Sequence, residues 1–266
     1  MEFARLVAGL ALIVLALSAF LFLFGGWLAK FIPFTSERAW VGDKVLGINM
    51  DDSGDAAGTS TDHAAIEAYI RRLTQTLAVR ADLPDGMSIS AHFSNMREPN
   101  AFATLGGHIV VTRGLYERMP SENALATVIA HEIGHVQARD PIAALGGAAS
   151  FAVLLALFSG DAQELAPYFA QIVQLGYSRQ VETRADEVAV RILLASYGHA
   201  GGASSVFEVL RDLGDGAMRQ QPTFLSTHPA DAARIARMET AARGWDARRT
   251  PLRPLEIKPA DGGVGR

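Results

Sequence analysis

Two histidines four residues apart, with a glutamate after the first, have the types and spacing to hold a metal ion. The run His131-Glu132-Ile133-Gly134-His135 has the H-E-x-x-H spacing of a catalytic zinc site. In a helix, positions four apart lie one turn above each other, so both imidazoles can share one ion. Glu132 projects beside them, where it could act as a general base towards water. The sequence therefore predicts a zinc hydrolase.

A helix that could present this run is indicated by its flanking residues. Ser121 is suited to cap the N-terminus, and Glu122 places a negative charge at the positive end of the helix dipole. Asp140-Pro141 predicts the end, because the residue before a proline disfavours the α conformation. Apolar residues recur between these limits at helical spacing and predict a buried stripe, namely Leu125, Val128, Ile129 and Val136.

A third protein ligand is needed, because two imidazoles alone do not hold a catalytic zinc whose fourth position is left for water. Downstream, Glu182 is followed four residues later by Asp186, on the same face of a predicted helix. Glu182 could bind the metal while Asp186 accepts the second N–H of a ligating histidine. The residues alone leave a second interpretation open, in which both acids are solvated.

Three segments of the chain resemble the signatures of the M48 family of zinc metalloendopeptidases. They are H-E-I-G-H at 131–135, Y-S-R-Q-V-E-T-R-A-D at 177–186 and S-T-H-P-A-D-A-A-R-I at 226–235. The resemblance implies a gluzincin that uses one zinc ion, with His131, His135 and Glu182 as ligands and Glu132 as the base. It also implies membrane-associated protein quality control or processing. With its S-T-H-P motif and one convincing hydrophobic span, the chain is most similar to the periplasmic branch.

Residues 100–112 are similar to the active-site edge strand of that family. We expect Gly107, His108, Ile109, Val110 and Val111 to form this strand and to pair with an extended polypeptide substrate through backbone hydrogen bonds. The alternative is an ordinary core strand.

His228 is a further candidate for the site. It precedes Pro229, which favours the first position of a helix, so His228 is predicted as an N-cap. The positive helix end would lower the pKa of the imidazole, leaving it able to donate to a developing oxyanion or to bind zinc in place of water. A plain helix cap is the third possibility. Arg234 is predicted to orient a carboxylate or the substrate.

An uncharged run of 24 residues, Leu6 to Ala29, is long enough to cross a bilayer of about 30 Å. A cleaved signal peptide is the alternative, but its apolar region spans only about 7–15 residues. We therefore expect residues 1–30 to be a single-pass transmembrane anchor in the cell (inner) membrane. The resemblance favours a periplasmic catalytic domain, whereas Lys30, Arg38 and Lys44 favour a cytoplasmic one.

The rest of the chain divides by composition and periodicity. We expect a flexible linker over 31–62, a zinc metallopeptidase domain over 63–247 and a disordered tail over 248–266. A second apolar run, Ile142 to Ser159, is predicted as a buried or membrane-facing helix, because one crossing would separate the histidines from Glu182. The expected fold class is α+β, a mainly helical zincin-like domain with a small antiparallel sheet.

Composition excludes several classes of function. A net charge of −4 without a basic run gives nucleic acid no electrostatic attraction, and the absence of cysteine excludes thiolate-bound zinc and disulfides. The sequence contains no Gly-rich phosphate-binding loop, so nothing in it indicates that the protein uses ATP. The sequence thus predicts a membrane-anchored zinc endopeptidase that hydrolyses unfolded or misassembled proteins. The alternatives are a membrane-tethered, zinc-containing chaperone or adaptor and a zinc hydrolase of non-peptide substrates.

Overall fold

The computed structural model describes residues 24–41, 60–146, 176–215, 223–229 and 231–257, together with single residues before 24. Stretches 24–29 and 140–146 are helical. The other helices are α1 (Phe34–Val41), α2 (Ser60–Ala78), α3 (Arg113–Tyr116), α4 (Glu122–Gln137), α5 (Arg179–Tyr197), α6 (Ser205–Asp215), α7 (Thr223–Thr227) and α8 (Ala232–Ala241). The strands are β1 (Ser90–Ser94), β2 (Ala101–Ala103) and β3 (His108–Thr112). The prediction of a mainly helical domain with a small sheet is confirmed.

The sheet is mixed, so the antiparallel prediction was wrong for one of its two strand pairs. Its order is β1-β3-β2, with β1 parallel and β2 antiparallel to β3. A 3-10 turn at Leu105–Gly107 reverses the chain between β2 and β3, and Gly106 and Gly107 both have a positive φ there. After this reversal β3 enters between the other two strands and runs in the direction of β1.

The prediction that residues Gly107 to Val111 form the edge strand is wrong for the described sheet. Strand β3 pairs with a neighbour on both sides, and all five of its residues are buried. A short apolar run of this kind is typical of a strand that is covered on both faces. The outer strand on the side of the candidate site is β2.

Helix α4 lies at the centre of the domain. The Ser121 hydroxyl caps it by accepting a hydrogen bond from Ala124 N at 3.2 Å. Every residue from Asn123 to Val136 is buried, so the predicted apolar stripe is one part of a helix that is covered on all sides by α2, the sheet and α5. A Cβ atom added to Gly134 would lie 2.9 Å from Ala185 Cα. This glycine therefore lets α4 and α5 approach closely.

Helix α5 carries the two acids that the sequence singled out. Ser178 caps its N-terminus, and Gly198, with φ 75°, ends it. Glu182 is 1% exposed and Asp186 is fully buried, so the interpretation as solvated acids is wrong. The face that holds them is otherwise apolar and packs on α4 through Ala185, Val188, Ala189 and Ile192.

Both flanks of the domain are more ordered than the sequence predicted. Helix α1 lies within the expected linker, and its Glu37 is 3% exposed. In the expected disordered tail, residues 251–257 form a segment, here called the C-terminal strap, in which Leu255 is buried. Tyr116 Oη donates a hydrogen bond to the Ile257 carbonyl oxygen. Apolar and hydrogen-bonding contacts of this kind offset the entropy cost of ordering a segment without regular secondary structure.

Among the described residues, no helix is both long enough and apolar enough to cross a membrane. Most of the run from Leu6 lies outside the described residues, as do residues 147–175 and 258–266. The transmembrane anchor therefore stays a prediction.

Candidate active site

Four side chains from three parts of the chain converge beside α4. Helix α4 contributes His131 and His135, α5 contributes Glu182, and His228 follows α7. All four are buried, and each offers one ligand atom, with these atoms lying within 4.8 Å of one another. The cluster could hold a metal ion.

The spacing of the donor atoms fits zinc. His131 Nε2 lies 3.0 Å from His135 Nε2 and 3.3 Å from Glu182 Oε2. His135 Nε2 lies 3.5 Å from Glu182 Oε1. Two ligands at about 2.0–2.1 Å from a tetrahedral zinc are separated by roughly 3.3 Å. The two imidazoles and the carboxylate are thus a suitable donor set by chemistry and by distance.

A carboxylate lies behind each imidazole of α4. Asp186 Oδ1 is 3.0 Å from His131 Nδ1, and Asp140 Oδ2 is 3.0 Å from His135 Nδ1. Such contacts fix the ring orientation and leave Nε2 facing the cluster. Sequence reasoning used Asp140 only as a helix end, and it missed Tyr177, whose ring stacks on His135 at 4.3 Å. The only sign in the sequence that Tyr177 could belong to the site was its position a few residues before the E-T-R-A-D segment.

Arg234 binds carboxylates, as its predicted role requires. Its Nε and Nη2 donate to the two oxygens of Asp186, both at 2.8 Å, and Nη1 lies 2.7 Å from Glu182 Oε2. Nη1 also donates to the backbone oxygens of His228 and Pro229. A cation that is 3% exposed thereby compensates two buried acids.

Glu132 faces both the cluster and the sheet. Its Oε2 accepts a hydrogen bond from Ala103 N of β2 at 2.8 Å. Its Oε1 is buried, has no hydrogen-bond partner among the described residues, and lies 3.5 Å from His228 Nε2. An orphaned carboxylate oxygen at this position is available to receive a proton.

The histidines of α4 and their carboxylates shift one another's pKa values. Burial alone would lower the pKa of His135, but hydrogen bonds to Asp140 and Glu182 raise it to about 9. The pKa of His131 is also raised, because Asp186 and Glu182 outweigh its burial. The pKa of Glu182 is lowered although burial opposes this, because three histidines surround it. Without a metal, protonation is therefore favoured at the two imidazoles of α4, His131 and His135.

His228 is in the cluster, but its predicted place as a helix N-cap is wrong. It follows the C-terminus of α7, where its N–H donates to the Phe224 carbonyl oxygen at 2.8 Å, and the N-cap of α8 is Asp231. The Pro229 ring therefore does not begin a helix. The pKa of His228 is lowered, as expected, but the cause is burial and not a helix dipole.

The sequence of the chain is similar to a family of peptidases and to several of its members. A family model described as Peptidase family M48 matches residues 64–242. The Mitochondrial metalloendopeptidase OMA1 of Schizosaccharomyces pombe is 29% identical over 175 residues, covering 64% of the chain and 51% of that protein. Its namesake from Arabidopsis thaliana is 35% identical over 153 residues, covering 56% of the chain and 31% of that protein.

A Protease HtpX homolog from Burkholderia thailandensis is 28% identical over 248 residues, covering 77% of the chain and 82% of that protein. The chain thus spans about half the length of the first relative, a third of the second and most of the third.

Proposed function

The chain belongs to peptidase family M48, and on this premise we propose that it is a zinc-dependent endopeptidase. The observation that carries the proposal is the buried cluster of His131, His135, Glu182 and His228 with the carboxylate of Glu132 beside it. The names metalloendopeptidase and protease of the relatives agree with this chemistry. We assign the peptidase domain to residues 63–247.

Zinc would be held by His131, His135 and Glu182, with Asp186 and Arg234 orienting these ligands. Zinc supplies a Lewis acid that polarises a scissile carbonyl group and lowers the pKa of water towards about 7. Nitrogen and oxygen donors without cysteine suit this ion. Because the pKa of His135 is raised, we expect metal binding to displace a proton from it.

Glu132 would act as the general base and then as the general acid. Its unpaired Oε1 can accept a proton from the attacking water and return it to the leaving amine. The hydrogen bond from Ala103 N restrains the other oxygen, so the carboxylate keeps one orientation towards the cluster. Because Oε2 is occupied by this hydrogen bond and Oε1 is not, Oε1 is the oxygen of Glu132 that we expect to transfer the proton.

We propose that an extended polypeptide binds beside β2. This strand is the outer one of the described sheet on the side where Ala103 contacts Glu132. Backbone pairing with β2 would hold a peptide bond near the base without regard to side-chain sequence. Unfolded or misassembled proteins are substrates that offer such extended segments.

His228 has two proposed roles, as a donor to the oxyanion or as a reversible fourth ligand that keeps the enzyme latent. Its Nδ1 lies 3.2 Å from His131 Nε2 and 3.0 Å from Glu182 Oε1, which are ligand-to-ligand separations. Its lowered pKa keeps the imidazole neutral and able to bind metal. These distances support the fourth-ligand role more than the oxyanion role.

The setting that we propose is a single-pass membrane protein with residues 1–30 as the anchor and the catalytic domain in the periplasm. The uncharged run from Leu6 to Ala29 supports the anchor. Alkaline carbonate extraction of a chain lacking residues 1–30 tests it, because loss of membrane retention is expected. Reporter fusions after Arg38 distinguish the periplasmic from the cytoplasmic orientation.

Glu132→Gln tests the proposed activity. Because this change removes a proton acceptor but no ligand, we expect one zinc per chain and loss of casein hydrolysis. Zinc content is measured by elemental analysis, with His131→Ala as the control that should lose metal as well. Retained hydrolysis in Glu132→Gln would contradict the mechanism. Binding of unfolded casein without hydrolysis by the wild-type chain would favour the chaperone or adaptor instead.

A further inference from the structure

We propose that the N-terminal segment, residues 24–41, is a positioning element for the metal site and acts through Lys30 and Glu37 on the turn that carries Asp140. The inference rests on the proposed function, because it concerns how His135 is held as a metal ligand. The observations that carry it are a close helix contact, an ion pair between partly buried Arg139 and buried Glu37, and a strained residue.

The N-terminal segment is docked on the domain. Its helical part, 24–29, lies against the 140–146 helix so closely that a Cβ atom on Gly26 would be 2.8 Å from the Ala143 carbonyl oxygen. A small hydrophobic cluster joins the segment to the 3-10 turn and to the 140–146 helix, and its buried members are Ala29, Val41, Leu105 and Ile142. The segment thus packs on the helix that begins where α4 ends.

Arg139, in the turn between these helices, has a strained backbone. Its φ of 61° is left-handed, which costs a residue with a Cβ about 1–2 kcal/mol. Its Nη2 donates to the Ile32 carbonyl oxygen and to the Glu37 carboxylate. The other oxygen of Glu37 accepts from Gly106 N at 3.2 Å. The backbone of Arg139 is hydrogen-bonded to Val136 and Ala143, and the N-terminal segment supplies the hydrogen bonds of its side chain.

Lys30 holds the residues on either side of Arg139. Its Nζ donates to the Ala138 carbonyl oxygen at 3.0 Å, at the C-terminal end of α4, and lies 3.7 Å from Asp140 Oδ1. A cation is favoured at this end of a helix because it interacts with the unpaired carbonyl groups. All three residues of the turn are thus bound by the N-terminal segment.

Asp140 connects the turn to the metal site. One carboxylate oxygen contacts His135 Nδ1, and the other accepts from Arg184 at 2.6 Å. If the turn relaxed, Asp140 would move away from His135 and the imidazole would be free to rotate. Loss of such an outer contact lowers metal affinity by about 10–100-fold. Metal retention therefore depends on docking of the N-terminal segment.

The experiment uses the full chain in lipid nanodiscs, with Glu37→Ala, Lys30→Ala and Asp140→Asn as the test variants. Lys30→Arg should preserve the contacts and behave as wild type. Arg71→Ala is the matched control, because it removes an exposed ion pair with Glu67 on α2. The readouts are Co²⁺ affinity, the visible Co²⁺ absorption spectrum, and hydrogen exchange of amides 138–142 in the metal-free chain.

We expect the three test variants to lose about 10–100-fold in Co²⁺ affinity and to show an altered spectrum. Glu37→Ala and Lys30→Ala should also exchange faster at 138–142, while Arg71→Ala should not. Suppose that the wild-type chain binds metal and cleaves casein, and that Glu37→Ala and Lys30→Ala match it in Co²⁺ affinity, spectrum and exchange. This result would overturn the present inference and leave the proposed function intact. A wild-type chain that binds no metal would overturn it together with the proposed function.

Discussion

At the scale of single residues, the candidate site contains a network of buried ionisable side chains in which each acid has a basic partner. Arg234 binds Asp186, Asp186 contacts His131, and His131 contacts Glu182, which returns to Arg234. Removing one member would leave an uncompensated charge that is 3% exposed or less. The ligands are therefore oriented by charge balance as well as by packing.

His228→Ala separates the two roles proposed for this imidazole. If His228 donates to the oxyanion, turnover should fall by roughly 10²–10³-fold while zinc is kept. If it is a fourth ligand that holds the enzyme latent, basal casein hydrolysis should rise. The measurement is the rate of hydrolysis at saturating zinc together with zinc content. An unchanged rate would contradict both roles and leave His228 with a structural one.

The raised pKa values of the two α4 histidines predict that the metal-free chain loses stability as pH rises. The folded pKa of His135, about 9, lies above its unfolded value of 6.5. Its contribution to stability is therefore fully present below pH 6.5 and is lost as pH rises through 9. Thermal unfolding with EDTA should give a higher Tm at pH 6.5 than at pH 9.5. In His135→Gln this difference should shrink, and an unchanged difference would refute the assignment to His135.

At the scale of elements, the separation of α4 and α5 sets the distance between the histidines and Glu182. At Gly134 the two helices approach closely, since the nearest atom to an added Cβ belongs to the Ala185 backbone. Side-chain movement cannot relieve a backbone contact of 2.9 Å.

Gly134→Ala should therefore move the two helices apart and weaken the metal site. We expect about 1–3 kcal/mol of lost stability in the metal-free chain and a measurable drop in zinc affinity. Calorimetric unfolding and competition with a chelator check the two effects. Ala126→Gly, on the same helix, is the control that should lower stability without changing zinc affinity. A Gly134→Ala chain with wild-type zinc affinity would contradict the spacing role.

The sequence was sufficient for elements whose determinants are local. The cap Ser121 was readable from its neighbouring residues, and the burial of Glu182 and Asp186 follows once the metal is inferred. Strand order depends on pairing between distant residues, so the central place of β3 was not readable from its apolar pattern. For His228 the Pro229 signal was misleading, because the following helix has its N-cap at Asp231 and begins only at Ala232.

At the scale of the whole molecule, the C-terminal strap contacts the opposite end of α4 from the N-terminal segment. Glu122 N donates to the Arg253 carbonyl oxygen at 2.8 Å, and Arg253 N donates to Asn123 Oδ1 at 2.8 Å. These bonds satisfy polar groups at the start of the helix. Composition predicted disorder here, because a stretch with prolines and charged residues gives no local sign that it forms hydrogen bonds with residues distant in sequence.

Leu255→Ala measures how much the C-terminal strap stabilises the domain. Leu255 is 8% exposed, and truncating a buried leucine costs about 2–5 kcal/mol. We expect a lower Tm, followed by calorimetry, with zinc stoichiometry unchanged. Arg249→Ala is the control, since its side chain is 88% exposed and its loss should leave Tm unaltered. Equal Tm values for the two variants would mean that the strap contributes little.

The position of the C-terminal strap also bears on biosynthesis. Helix α4 is translated before Glu182 and His228, and before the C-terminal strap that binds its first turn. Ile257 follows Gln137 by roughly 120 residues, which is about 6–24 s of translation at 5–20 residues per second. During that interval a nascent chain lacks the carboxylate ligand or the strap. A peptidase assembled in this order therefore has no complete metal-ligand set until Glu182 and His228 have both been synthesised.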